Sequence, residues 1–212
     1  MSPLYEAQRA MRDRREAALR RGVVAVLDIG TSKVACLVLQ FAPEAANQPE
    51  SSGRGLTHGA FRVIGAATTR SRGMKLGEIV AMDEVERALR TAIQAAQKMA
   101  DMRVDHVIVS FGGGAPRSYG LSGDVQVEYG EVSEPDIGRA LAACDLPDYG
   151  HGREALHALP VNFTLDHRTG LRDPRGQIGA RLAVDMHLLT VDAATVHNIL
   201  HCFRRCDLEL AG

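Results

Sequence analysis

Two nearly unbroken apolar runs near the start of the chain predict a pair of buried strands joined by a tight turn. Residues 23–27 form the first run and residues 34–39 form the second. Apolar runs without polar alternation are typical of strands that are buried on both faces. After a loop over residues 42–59 that is rich in Pro, Asn, Ser and Gly, residues 61–69 are predicted to form a third strand and complete an antiparallel meander.

The clearest helical pattern covers residues 84–100. Its predicted buried stripe, with helical i, i+3, i+4 spacing, consists of Val85, Ala88, Leu89, Ala92, Ala96 and Met99. Asp83 is a favourable N-cap residue, and Glu86 completes the pattern of a capping box. Because a strand is predicted over residues 105–111, the first half of the chain has the order strand, strand, strand, helix, strand.

The pattern changes at the triple glycine Gly112–Gly114, after which strands are shorter and turn residues are more frequent. In this part the predicted elements are strands over 121–128, 158–166 and 181–191 and a helix over 134–144 that Ser133 caps. A last amphipathic helix is predicted over 193–205. We therefore expect an α/β fold in which an α+β subdomain is inserted. The expected divisions are a basic extension over 1–22, a main domain over 23–111 and 190–212, and the insert over 112–189.

Composition narrows the possible function classes. The formal net charge is −1, aromatic residues make up 4% of the chain, and Trp is absent. A general nucleic-acid-binding surface needs a basic excess, so we expect no nucleic-acid partner. The sequence shows no apolar signal-peptide core and no membrane-spanning run, which indicates a cytoplasmic protein. The contexts of the four cysteines favour buried thiols over a disulfide framework.

The turn between the first two predicted strands carries the strongest candidate chemistry. Asp28 stands at a strand end, and Gly30, Thr31, Ser32 and Lys33 follow it. A carboxylate beside a small hydroxyl-rich turn can hold a hydrated Mg²⁺, while backbone amides can approach phosphate oxygens. The same residue types also occur in hairpin turns for conformational reasons alone. Both interpretations remain open on the residues themselves.

Other combinations of reactive residues are weaker candidates. The triple glycine lacks the helix and the acidic residue that a dinucleotide-binding loop requires, so it is interpreted as a hinge into the insert. His197, His201, Cys202 and Cys206 lie on one predicted helix, and four tetrahedral metal ligands from a straight helix are geometrically poor. No hydrolase triad or catalytic carboxylate pair is recognisable. We therefore predict no catalytic residue and no direct metal ligand.

Several motifs together resemble the FtsA family of bacterial cell-division proteins, within the actin-like ATPase superfamily. They are VLDIGTSKVACLV, SRGMKLGEI with the helix DEVERALRTAIQAAQKMAD, VIVSFGGG, ALPVNFTLDHRTGLRDPRGQIGARLAVDMHLLT and HNILHCFRRCDLEL. The resemblance covers roughly residues 22–210. It implies an actin-like (ribonuclease H-like) subdomain, called 1A, and an inserted subdomain of the SHS2 type, called 1C.

The resemblance also implies a function. Asp28, Gly30, Thr31, Ser32 and Lys33 would form the first phosphate-binding loop for ATP, with Mg²⁺ held through water at Asp28. The family is expected to assemble the Z ring, to tether FtsZ to the cytoplasmic face of the inner membrane at the division site, to self-associate, and to recruit later division proteins through 1C. Enzymatic activity would be at most a weak ATPase.

A complete family member is expected to be about twice as long as this chain. Its second half would supply the other phosphate loop, the adenosine pocket, most of the FtsZ surface and a membrane-binding helix. We therefore interpret the chain as an N-terminal portion with weak or undetectable ATP binding. Two alternatives are a small-molecule kinase of the same superfamily and a nucleotide-independent interaction domain. Within 1C, the basic loop with Arg168, Arg172 and Arg175 either contacts an acidic partner or is a solvated hairpin tip.

Overall fold

The computed structural model describes residues 13–17, 19–41 and 61–212, and these include helical residues 13–17 and 19–20. Most of the predicted basic extension and the loop predicted over 42–59 lie outside the described residues. In chain order the elements are β1 (Val23–Ile29), β2 (Lys33–Phe41), β3 (Phe61–Arg70), β4 (Met74–Lys75), β5 (Glu78–Ile79), α1 (Met82–Ala100), β6 (His106–Phe111), β7 (Arg117–Gln126), α2 (Glu134–Ala142), β8 (Arg153–Leu165), β9 (Arg168–Leu171), β10 (Arg181–Asp192), α3 (Ala193–Arg205) and β11 (Glu209–Leu210). These elements form two compact units, which divide at Ala115/Pro116 and at Val191/Asp192.

The first unit is built on a five-stranded mixed sheet with the order β11-β6-β1-β2-β3. Strand β2 runs antiparallel to both of its neighbours, whereas β6 runs parallel to β1 and β11 runs parallel to β6. One face of this sheet buries alternate residues of β1 and β2 against α1 and α3. The shared core includes Leu27, Ile29, Val34, Cys36, Val38, Leu89, Ile93, Ile199 and Phe203.

The second unit, residues 116–191, is a four-stranded sheet with the order β7-β10-β8-β9. Alternate residues of β10 point into its core, which is why Leu182, Val184 and Leu188 are buried. Helix α2 contributes Ile137, Ala140 and Leu141 to the same cluster. The predicted α/β fold with an inserted α+β subdomain is therefore confirmed.

Some local predictions were wrong. Helix α1 begins at Met82 after Ala81, which makes no side-chain capping hydrogen bond, so Asp83 lies inside the first turn. The Asp83 carboxylate instead accepts a hydrogen bond from Arg205 at 3.0 Å. Met99 is 65% exposed and is therefore not part of the buried stripe. Strand β9 was predicted to be part of the basic loop that contains Arg168, because a strand of four residues carries little periodicity.

Candidate phosphate-binding site

The carboxylate of Asp28 is exposed one residue before the end of β1. Its neighbours Leu27 and Ile29 are buried, and the period of two along a strand turns Asp28 to the opposite face of the sheet. Asp28 pairs in register with Ala35 of β2 and with Ser110 of β6. A bound cation at this position would thus face solvent.

The turn after β1 is held at both sides by backbone hydrogen bonds. The Gly30 N–H donates to the Lys33 carbonyl at 3.0 Å, and the Ser71 N–H donates to the Ser32 carbonyl at 3.0 Å. The side chains of Thr31, Ser32 and Lys33 are exposed. Because the Gly30 amide closes the turn, a phosphate would meet the amides of Thr31 and Ser32 at its tip.

The triple glycine, interpreted from the sequence as a hinge, lies beside this turn. Strand β6 is parallel to β1, with Ile29 paired to Phe111, so Gly112 and Gly30 continue from the carboxyl ends of adjacent strands. Ligands of α/β proteins bind at the carboxyl ends of their parallel strands. The proximity of the triple glycine to the turn was missed from the sequence. The signal that could have indicated it is a glycine run directly after a buried strand.

Only glycine fits at the centre of the triplet. A Cβ on Gly113 would lie 2.0 Å from the Gly77 carbonyl oxygen, which belongs to the turn between β4 and β5. That hairpin therefore packs directly on the glycine backbone. Gly114 lies at the position expected for a hinge into the insert. Its carbonyl accepts a hydrogen bond from the Asp192 N–H at 2.8 Å, where the chain returns from the insert.

Basic side chains surround the same sheet edge. Lys33 pairs in register with Arg70 of β3, and both residues are exposed, as is Arg72 two positions later. Cations that cluster at one edge create a positive potential, which raises the local concentration of phosphate anions. Arg70 and Arg72 were not among the predicted site residues, since their proximity to the turn depends on strand pairing across the sheet.

The structure gives different environments to the three arginines of the predicted partner loop. Arg175 is paired with Glu134 at 2.7 Å and with Asp173 at 3.1 Å. Arg168 donates to the Ile178 carbonyl at 2.8 Å. Arg172 is exposed and directly follows β9. Two of the three cations thus already hold intramolecular partners.

Within residues 13–17, 19–41 and 61–212, no group of three or more His, Cys, Asp or Glu side chains could hold a metal ion. Over the same ranges, no helix has both the length and the apolar character that crossing a bilayer requires.

Comparison with known proteins shows similarity to one family of bacterial proteins. Residues 113–190 match the SHS2 domain that is inserted in FtsA. The cell division protein FtsA of Rhizobium meliloti is 37% identical over 193 residues, which are 91% of this chain and 43% of that protein. The chain is similar to FtsA proteins over about nine tenths of its length. Further FtsA relatives are 33% identical in Pseudomonas aeruginosa, over 92% of this chain, and 27% identical in Escherichia coli, over 91% of it.

The chain spans less than half the length of these FtsA relatives, at 43% of each of the three. A solved PilM–PilN type IV pilus biogenesis complex is similar in structure over 88% of this chain and 45% of that chain, with 12% identity and a TM-score of 0.48. The chain combines a mixed α/β unit with a segment that matches the SHS2 domain inserted in FtsA.

Proposed function

We propose that this chain forms part of an FtsA-type division scaffold that helps to assemble the Z ring and to tether FtsZ filaments to the inner membrane. The support is the similarity to the FtsA protein of Rhizobium meliloti over 91% of the chain. Because the relatives are more than twice as long, membrane tethering and most FtsZ contacts are assigned to the full-length protein. The proposed location of that protein is the cytoplasmic face of the membrane at the division site.

The proposed nucleotide site is the edge formed by the turn after β1 and the glycine triplet after β6. One observation carries this proposal: the two segments extend from the carboxyl ends of adjacent parallel strands. The tip amides of Thr31 and Ser32 would bind the terminal phosphates of ATP, and Lys33 would supply a countercharge. Asp28 has the exposed carboxylate that a hydrated Mg²⁺ requires, and the ion would neutralise phosphate charge.

The site presents one wall of a nucleotide cleft. Its proposed ligand groups all lie on one sheet edge, so they contact phosphate oxygens from one side. We therefore expect this chain alone to bind Mg-ATP weakly.

The inserted unit is the proposed surface for self-association and for later division proteins. It has its own core and is the part of the chain that matches the SHS2 family. Arg172 is exposed near the tip of this unit and could face an acidic segment of a partner. Arg168 and Arg175 would contribute by positioning that loop through their intramolecular contacts.

A titration with Mg-ATP tests the site. We expect calorimetry to show no micromolar binding, and amide NMR shifts at millimolar Mg-ATP to be confined to residues 28–33 and 110–114. Lys33→Glu should reduce those shifts, whereas Lys98→Glu, at an exposed position of α1, should leave them unchanged. Micromolar affinity would contradict the one-walled cleft. Shifts centred elsewhere would contradict the assigned location.

A further inference from the structure

Polar side chains form a row across the sheet of the first unit, close to the turn after β1. Asp28 of β1 is paired in register with Ser110 of β6 and with Ala35 of β2, and Ala35 is paired with Thr68 of β3. Residues paired across adjacent strands direct their side chains to the same face of a sheet. These four residues, the polar row, therefore share one face, and it is opposite to the core that α1 and α3 cover.

Two cations lie next to the polar row on the same face. Lys33 stands two residues before Ala35 in β2, so the period of two along a strand gives both side chains the same face. Lys33 is paired in register with Arg70 of β3. The two cations are exposed, as are the three polar members of the row. The methyl group of Ala35 is thus a short floor between longer polar side chains.

The charges on this face are not neutralised within the part of the chain that the structure describes. Arg87 and Arg90 of α1 each pair with a glutamate of the same helix. By contrast, Asp28, Lys33 and Arg70 form no ion pair with any described residue, and the two hydroxyl groups of the polar row make no hydrogen bond with one. Cations and hydroxyl donors on this face are therefore available to a ligand that arrives from solvent.

The chemistry and the length of this surface suit a chain of phosphate groups. Adjacent strands lie about 4.8 Å apart, so the polar row spans about 14 Å from β6 to β3. A triphosphate chain is shorter than this row, so its oxygens can contact side chains of several strands at once. Cations form strong, charge-assisted hydrogen bonds with phosphate oxygens. A carboxylate among them suits the hydrated Mg²⁺ that accompanies a polyphosphate in solution.

The first unit places no aromatic side chain beside the polar row, among its described residues. The ring of Phe111 lies against Gly113 and packs on the core. Phe41 and Phe61 are paired at the opposite end of β2 and β3, and Phe203 is 2% exposed. Stacking on an aromatic ring is a common way to hold a nucleobase. The surface therefore offers contacts to phosphate and no stacking contact to a base.

We propose that this face binds linear polyphosphates through their phosphate groups alone, so that inorganic triphosphate and the nucleoside triphosphates are equivalent ligands of this chain. The inference rests on the proposed nucleotide site and extends it across β2 and β3. Lys33 and Arg70 neutralise phosphate charge, Thr68 and Ser110 donate hydrogen bonds, and the Asp28 carboxylate holds the hydrated Mg²⁺. Base and sugar add no affinity, because the ligand groups of this face are complementary to phosphate.

A comparison of three ligands tests the proposal. Dissociation constants for Mg-ATP, Mg-GTP and Mg-tripolyphosphate are measured from the amide NMR shifts of residues 28–33. We expect the ATP and GTP values to agree within about twofold, and tripolyphosphate to bind at least as tightly because it carries more negative charge. Binding of Mg-ATP that is about fivefold or more tighter than that of either other ligand would overturn the inference and leave the proposed nucleotide site intact. Absence of shifts with all three would overturn both.

A variant of β3 tests the extension across the sheet. Arg70 is exposed and has no ion pair with a described residue, so Arg70→Gln should leave the fold intact, as a circular dichroism melt verifies. We expect it to weaken all three ligands by a common factor of at least about three. Arg62→Gln, exposed at the other end of the same strand, is the matched control and should leave the dissociation constants unchanged. Unchanged affinities in Arg70→Gln would also overturn the inference.

Discussion

At the scale of single residues, Asp136 fixes the start of α2. Its side chain is buried, with 1% exposure, and it accepts hydrogen bonds from the Ser133 N–H at 2.9 Å and from the Ser133 hydroxyl. Arg139, one turn later, pairs with the same carboxylate. Burial alone would raise the pKa of Asp136, but the two hydrogen bonds from Ser133, the Glu128 N–H and the Arg139 charge outweigh burial and lower it. The charged form is therefore the one that stabilises this capping box.

Removing that carboxylate should destabilise the inserted unit. Asp136→Ala leaves the Ser133 N–H without its buried acceptor, which costs about 1–3 kcal/mol in the free energy of unfolding. Urea unfolding at pH 7 measures this loss. Asp185→Ala, at an exposed position of β10, is the control and should change stability by less than about 0.5 kcal/mol. Equal losses in the two variants would contradict the capping role.

The effect of Asp136 should also depend on pH. A carboxylate with a depressed folded pKa contributes stability above its unfolded pKa of about 3.9 and loses it as pH falls through the folded value. The stability difference between the wild-type chain and Asp136→Asn should therefore shrink below about pH 4. A difference that stays constant from pH 7 to pH 2.5 would exclude this linkage.

At the scale of elements, the packing of α1 on β3 depends on one glycine. A Cβ on Gly65 would lie 2.2 Å from the Ala96 carbonyl oxygen and 3.0 Å from the Ala100 Cβ. Helix α1 therefore approaches the β3 backbone more closely than would be possible if residue 65 carried a side chain. The register shift between Val38 and Leu39 in the β2–β3 pairing occurs at the same point of the sheet.

Gly65→Ala should separate α1 from the sheet. The clash is with helix backbone, which cannot move aside as a flexible side chain can, so we expect a loss of about 1–3 kcal/mol in the free energy of unfolding. Thermal or urea unfolding measures the change. Gly120→Ala is a matched control, because it also lies in a strand and its Cβ would meet no atom within 4 Å. A loss of less than about 0.5 kcal/mol in Gly65→Ala would show that the packing is adjustable.

Most of the longer elements could be predicted from periodicity, while their ends and neighbours could not. In β2 the prediction of burial on both faces was wrong, since Val34, Cys36 and Val38 are buried while Leu37 on the opposite face is 39% exposed. The predicted start of α1 was wrong because Asp is a residue type that suits an N-cap. The Asp83 carboxylate instead accepts a hydrogen bond from Arg205, which lies far away in the sequence. A contact between residues 122 positions apart leaves no local signal in the sequence.

The candidate phosphate site shows the same division between local and distant information. The turn from Asp28 to Lys33 is recognisable in the sequence because its residues are contiguous. Its neighbours Arg70 and the glycine triplet are brought to it by sheet pairing, through Lys33 and Ile29. Strand order within a sheet is a property of the assembled fold, so these neighbours become visible only in three dimensions.

At the scale of the whole molecule, the chain enters and leaves the inserted unit at one point. The Gly114 carbonyl accepts the Asp192 N–H at 2.8 Å, so the two ends of the insert are adjacent. The insert builds its core from its own residues, among them Phe163, Leu165 and Leu182. The sheet of the first unit contains strands from both sides of the insert, since β11, which follows the insert, pairs with β6, which precedes it.

Each unit should therefore fold without the other. Residues 116–191 expressed alone should unfold cooperatively, and residues 11–115 joined by a short Gly-Ser linker to 192–212 should do the same, because a flexible linker can replace a segment whose ends are adjacent. Circular dichroism melts and amide NMR dispersion are the measurements. Val184→Asp, which places a charge at a position with 1% exposure, is the control that should abolish folding of the isolated insert. A disordered wild-type insert would mean that its core needs the first unit.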